Sequence, residues 1–247
     1  MRRATDTNNK DLKGRILYFI KTVQLRHIIL IAPSRSGHTW TMGMVQSWLP
    51  GDIVHNFESI PPVIYSKRVH RDVFYGSLPK HDQPVIALTQ VRDFLNYAAS
   101  WTKHKLNLRD AHRQEAVTVM YEMWMDMTKE TLGDTEHIKD KKITLYYDRF
   151  VQDENYRREL CDLLGGEYSE DMIDNVPANS PGSSFDKYDY QGRAHQMDVL
   201  NRWKWFLSEE GAPFIFYLKA ARQVLEYYAA RFDLDEEKKD FITQILN

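Results

Sequence analysis

The chain has 247 residues, with 33 Lys or Arg against 35 Asp or Glu, a formal net charge of −2. At 43% hydrophobic and 13% aromatic it carries enough apolar surface for a packed core, which excludes intrinsic disorder. The near-neutral charge argues against a general nucleic-acid binder, and the apolar runs at 16–20 and 28–33 fall far short of the roughly 18–20 residues of a membrane span. A lone cysteine, Cys161, forbids an intrachain disulfide. The basic start, MRRATDTNNKDLKG, leads into only five apolar residues. The expectation is a soluble cytoplasmic chain without a signal peptide or a membrane anchor.

The first clear element is HIILIA (27–32), an unbroken apolar run followed by the loop Pro33–Gly37 and a helical stretch, Thr39–Leu49, which Pro50-Gly51 stops. The second is VIALTQV (85–91), followed by Asp93 as an N-cap and a helix through about Lys103. From about Arg109 to Leu132 a long helix carries Val117, Met120, Trp124 and Met127 at spacings that any buried helix face needs, so this stripe reads as core. A third run, KITLYY (142–147), precedes a helical ENYRRELCDLLGG whose glycine pair supplies the stop. Residues 176–198, rich in Pro, Ser, Gly, Asp and Tyr, carry the weakest signal and read as a functional loop. PFIFYLKAARQVLEYYAARF reads as one amphipathic helix closing the core.

Strands without polar/apolar alternation are strands covered on both faces, and repeated strand–turn–helix units imply a parallel sheet. The expected fold is α/β, with a central parallel sheet and helices on both faces, in a single domain over residues 1–247.

The turn Pro33–Gly37 lies between a buried strand and a helix. There it aims backbone N–H groups and the positive end of the helix dipole at one point, which suits an anion. Arg35 adds a cation, and Ser36, His38 and Thr39 add donors. On this segment alone the anion-binding reading is favoured over an ordinary strand-to-helix turn relieved by Gly37. The ATP-type loop G-x-x-x-x-G-K-[ST] is not met, because the first Gly and the Lys are missing.

Taken together, P-S-R-S-G-H-T-W (33–40) and VRDFLNYAASW (91–101) resemble the P-loop sulfotransferases, which use 3′-phosphoadenylyl sulfate (PAPS). The family's loop reads P-K-S-G-T-T-W. Aligned on Ser36, Gly37, Thr39 and Trp40, Arg35 falls where cytosolic members carry Lys and tyrosylprotein sulfotransferases carry Arg, with one residue inserted after the proline. The family's 3′-phosphate signature is an Arg at a strand end with a Ser eight residues on, met here by Arg92 and Ser100. ITLYYDRFVQDENYRRELCDLLG and GSSFDKY extend the likeness, so that it runs from about His27 to Trp205.

The resemblance implies a P-loop-type sheet and sulfuryl transfer from PAPS to a hydroxyl or amine on a small-molecule or glycan acceptor, giving adenosine 3′,5′-bisphosphate (PAP). It implies that residues 27–49 hold the 5′-phosphosulfate, with Arg35, Ser36, Gly37, His38, Thr39 and Trp40 as ligands. Residues 85–103 would hold the 3′-phosphate through Arg92 and Ser100, and 176–198 would form the nucleotide and substrate loop. Phe185 would pair with Trp40 across the adenine, and Arg193, or failing it Arg202, would complete the phosphate clamp. Two residues compete for the base: His70, in SKRVHRD 22 residues before Arg92, and Glu58, 23 residues after Arg35. No metal-ligand spacing is visible, no metal is expected, and no oligomeric state is readable. Two other readings stay open, a P-loop nucleotide-dependent phosphotransferase and a non-catalytic nucleotide-binding module.

Overall fold

A computed structural model describes residues 27–33, 35–49, 53–57, 85–106, 110–138, 141–175, 185–186, 190 and 193–247. Four strands form one parallel sheet: β1 His27–Ile31, β2 Ile53–Phe57, β3 Val85–Val91 and β4 Lys141–Tyr146. Their spatial order is β2-β1-β3-β4. The register sets His27 opposite both Ile53 and Val85, and Ile86 opposite Lys141. The class is α/β, as expected. β1, β3 and β4 fall where the apolar runs lie, whereas β2 is an addition, since the short IVHNF gives little strand signal.

Both sheet faces are covered, which explains the missing alternation. Ile28, Leu30, Ile86, Leu88 and Leu145 pack with helix α1 (His38–Trp48) through Met44, Val45 and Trp48, and with residues 160–164. The intervening Ile29, Ile31 and Ala87 pack instead on Met127 of the long helix α3 (Asp110–Leu132). In α3 the side chains of Val117, Met120, Trp124 and Met127 are all buried, so the stripe is core. A second core joins α2 (Phe94–His104) and α3 to the 3-10 turn Arg202–Leu207 and to three C-terminal helices.

Helix ends follow their local chemistry. Asp93 caps α2, its side chain accepting from the Asn96 amide at 2.9 Å. After the short α4 (Tyr147–Gln152), Asp153 caps α5 (Glu154–Leu164) by accepting from the Tyr156 amide. Gly165 ends α5 with φ 69°, where a left-handed residue lets the Gly166 amide reach back to the Cys161 carbonyl. The expected C-terminal helix is broken: a 3-10 turn (Ala212–Phe214) leads into α6 (Ile215–Ala220), and Ala221 separates that from α7 (Arg222–Arg231). Asp235 then caps α8 (Glu236–Leu246), with Glu236 and Glu237 in its first turn, where the helix dipole favours acids. Among the described residues no helix is long and apolar enough to cross a membrane.

Candidate anion-binding site

β1 lies between β2 and β3, so the chain leaves β1 toward one side of the sheet and later returns to its other side. The gap between β1 and β3 is therefore the topological switch point, and the carboxyl ends of the strands there are where open α/β sheets bind ligands. The loop after β1 and the residues ending β3 both sit at this point.

The loop is held from β3. Ser36 closes a turn by donating its amide to the Pro33 carbonyl at 3.1 Å. Arg35 has φ 70°, the positive value that only this non-glycine residue adopts among the described ones. Such a left-handed backbone persists when its surroundings over-determine it. Here Arg92 Nη1 donates to the Arg35 carbonyl at 2.9 Å, and Gln90 Nε2 donates to the Ser36 carbonyl at 2.7 Å and to Ser36 Oγ at 3.1 Å. Gln90 lies at the end of β3 and Arg92 just beyond it, two residues on, and both reach the same loop. Gly37, at φ 88°, is the N-cap of α1 and supplies no side-chain cap. A Cβ on Gly37 would overlap the Tyr147 ring, so both conformation and space require glycine.

Arg92 is almost fully buried. Its second arm, Nη2, donates to the Val199 carbonyl at 2.8 Å, and its guanidinium lies 5.1 Å from the Tyr147 ring centre. Among the described residues Arg92 Nε and Gln90 Oε1 are shielded from solvent without a hydrogen-bond partner. Ser100, one helical face along α2, donates Oγ to the Asn96 carbonyl at 2.9 Å and accepts from Arg202 Nη1 at 3.4 Å. The other Arg202 arm meets Asp186 at 2.6 Å, and its plane lies over Phe185 at 5.1 Å. Burial pushes Arg202 down to about 10, and the nearby Arg92 charge adds to the shift.

A third guanidinium stands at the loop. Arg35 Nη2 lies 3.0 Å from His104 Nε2. Burial first, and the Arg35 charge second, push His104 down to about 4 and also lower Lys105. Arg202, His104 and Lys105 are thus all lowered by burial and further by neighbouring cations.

Trp40 and Phe185 sit in different packing clusters. Trp40 donates its indole N–H to the Ile173 carbonyl at 2.9 Å and meets Phe150 and Tyr147 edge-on. Phe185 lies under Lys103, whose Nζ is 4.2 Å from the ring centre, and beside Trp205. His38 is buried, its Nε2 2.9 Å from Thr39 Oγ1. Arg193 is exposed at the start of the turn Ala194–Gln196, so the arginine beside Ser100 is Arg202. Glu58, His70 and most of 176–198 lie outside the described residues. Sequence reasoning passed over Gln90, Tyr147 and His104. Gln90 had a readable signal, a polar amide inside an apolar strand that must find a partner.

Behind the site, the Asp93 amide donates to Asp148 Oδ2 at 2.6 Å, and the Asp93 carboxylate accepts from Tyr228 and from Lys238 Nζ at 2.7 Å. Burial and the Asp93 charge push Asp148 up to about 6, against Arg92 and Lys238, which pull it down. An acid whose folded value exceeds its unfolded value of about 3.9 stabilises the fold below that value and loses the contribution as pH rises through about 6. Asp148→Asn keeps an acceptor for the Asp93 amide without the charge. It is expected to melt above wild type at pH 7.5, with the difference shrinking toward pH 4.5. A difference independent of pH would remove the charge from the explanation.

Comparison with models of protein families, with curated proteins and with solved structures finds no match. Among the described residues no three His, Cys, Asp or Glu side chains gather as a metal-binding group.

Proposed function

We propose that this chain is a PAPS-dependent sulfotransferase on a P-loop-type sheet, acting in the cytoplasm on a hydroxyl or amine of a small molecule or glycan. The observation that carries the reading is the set of arginines Arg35, Arg92 and Arg202, around which burial first and the arginine charges second lower His104, Lys105 and Arg202 itself. Arg202 already pairs with Asp186 at 2.6 Å, and a nucleotide carrying phosphate at both ends would add negative charge at both ends of the cluster. Arg35 serves the 5′-phosphosulfate. Arg92 frames the site through its carbonyl bonds, and Arg202 with Ser100 serves the 3′-phosphate in the place considered for Arg193.

The transfer itself forms a bond from the acceptor oxygen or nitrogen to sulfur while the sulfur–oxygen bond to the nucleotide phosphate breaks. The leaving electron pair stays on the phosphate oxygen of PAP, and the acceptor proton passes to a base, for which His70 and Glu58 are the choices. Arg35 stabilises the charge that grows on the leaving oxygen.

PAP is expected to raise the melting temperature more than AMP or ATP-Mg²⁺, because a 3′-phosphate alone uses Arg202 and Ser100. At a hundredfold excess over Kd the gain is about 2.7 kcal/mol, on the order of 5–10 °C for a chain of this size. Equal shifts from AMP and PAP in a thermal melt would reject the assignment.

A further inference from the structure

Arg202 meets Ser100 across 102 positions of sequence, so the turn that carries Arg202 must be held against α2. We propose that Asn96 is the positioning residue that does this: its side-chain amide clamps the backbone of residues 200–203 onto α2 and thereby sets Arg202 beside Ser100. This rests on the sulfotransferase reading for the ligand, and adds to it the residue that places the 3′-phosphate arginine.

Asn96 is almost fully buried, one helical turn before Ser100 on the same face of α2. Its Nδ2 donates to the Leu200 carbonyl at 2.8 Å, and its Oδ1 accepts from the Trp203 backbone amide at 3.1 Å. A carbonyl must receive a donor and an N–H must find an acceptor, so the two bonds use both halves of the carboxamide in this one orientation. Arg202 lies between the two bonded residues, which fixes where its backbone stands. The main chain of Asn96 is tied in as well: its N–H donates to Asp93 Oδ1 and its carbonyl accepts from Ser100 Oγ, each at 2.9 Å. Asn96 thus joins the hydroxyl to the turn that brings the arginine to it. On the far side, the Trp203 ring packs on Phe241 of α8, 5.3 Å between centres, so the turn is pressed toward α2 as well as bonded to it. A carboxylate at this position would keep the bond from Trp203 but set an oxygen against the Leu200 carbonyl. Alanine would leave both backbone groups without their partner.

Those two changes, made in the full chain, set the test. Asn96→Ala and Asn96→Asp are each expected to weaken PAP by about tenfold or more in calorimetry, the usual loss when a hydrogen bond to a charged group is misplaced. AMP lacks the 3′-phosphate and is expected to lose far less, so the ratio of PAP to AMP affinity falls. A merely structural role would lower the folded fraction, which weakens both ligands by one factor and leaves that ratio at its wild-type value. An unchanged ratio in the folded variants would overturn the proposal.

A second measurement does not depend on the variants folding. In ¹⁵N-asparagine-labelled wild type without ligand, the side-chain NH₂ of Asn96 is expected to exchange with solvent far more slowly than that of the exposed Asn201. Exchange as fast as that of Asn201 would overturn the clamp whatever the nucleotides do. Wild-type protein that protected this amide yet bound PAP no better than AMP would instead overturn the sulfotransferase reading and leave Asn96 as the residue that holds the Arg202 turn on α2.

Discussion

Arg35→Ala is expected to lower PAPS turnover by about 10²–10³-fold, the usual loss when a donor aimed at developing charge is removed. PAP affinity should fall far less, because Arg92 and Arg202 remain and the ground-state phosphosulfate has less charge on the bridging oxygen than the transition state does. The backbone change also has a sign. Arg35 already holds φ 70°, and alanine tolerates that region no better, so the loop keeps its strain and loses its cation. On the sulfotransferase reading Arg35→Lys should recover part of the rate as a point charge, without the planar fork of the guanidinium. Single-turnover assays with PAPS, beside PAP calorimetry, separate the two effects. A normal rate in Arg35→Ala would remove the loop from the chemistry.

Asp93→Ala is expected to cost about 3–5 kcal/mol of stability, the largest effect of any substitution considered. The side chain does several things at once: it caps α2 through the Asn96 amide, accepts from the buried Tyr228 hydroxyl, and pairs with Lys238. Losing an N-cap costs about 1 kcal/mol. Leaving a mostly buried ammonium without its counter-charge accounts for most of the rest. Lys238 Nζ also lies 3.9 Å from Asp235, but Asp235 is exposed and screened, so it compensates little. Asp93→Ala with Lys238→Met should recover much of the loss, because the stranded charge is then gone. Urea unfolding of the wild type and the two variants decides this, and a loss below about 1 kcal/mol for Asp93→Ala would mean that Lys238 escapes to water.

What was legible in the residues and what was not divides along physical lines. Strands β1, β3 and β4 could be read because a strand buried on both faces must be apolar throughout, and HIILIA and VIALTQV are nearly so. β2 escaped because His55 and Asn56 interrupt five residues. The Asp93 cap could be read because capping is local, a carboxylate three residues from the amide it accepts. The break at Ala221 could not, since Ala and Arg favour helix and tertiary packing ends it. In the site, Arg35, Arg92 and Ser100 stood out through a motif. The bonds Gln90 to Ser36, Arg35 to His104 and Arg202 to Ser100 join positions 54, 69 and 102 apart, and no local rule pairs such residues.

The Asp93–Lys238 pair has a consequence for the order of events as the chain is made. Its members are 145 positions apart, and synthesis reaches Asp93 first. At the rates at which ribosomes extend a chain, roughly 5–20 residues per second, about seven to thirty seconds separate the two. Throughout that interval the end of β3 carries a carboxylate with its balancing ammonium still unmade. The strands can pair and α2 can be capped, yet the wall behind the arginines stays unfinished until α8 has left the exit tunnel and docked. Nascent chains halted before Lys238 should therefore be more open to protease around Asp93 than chains released after it.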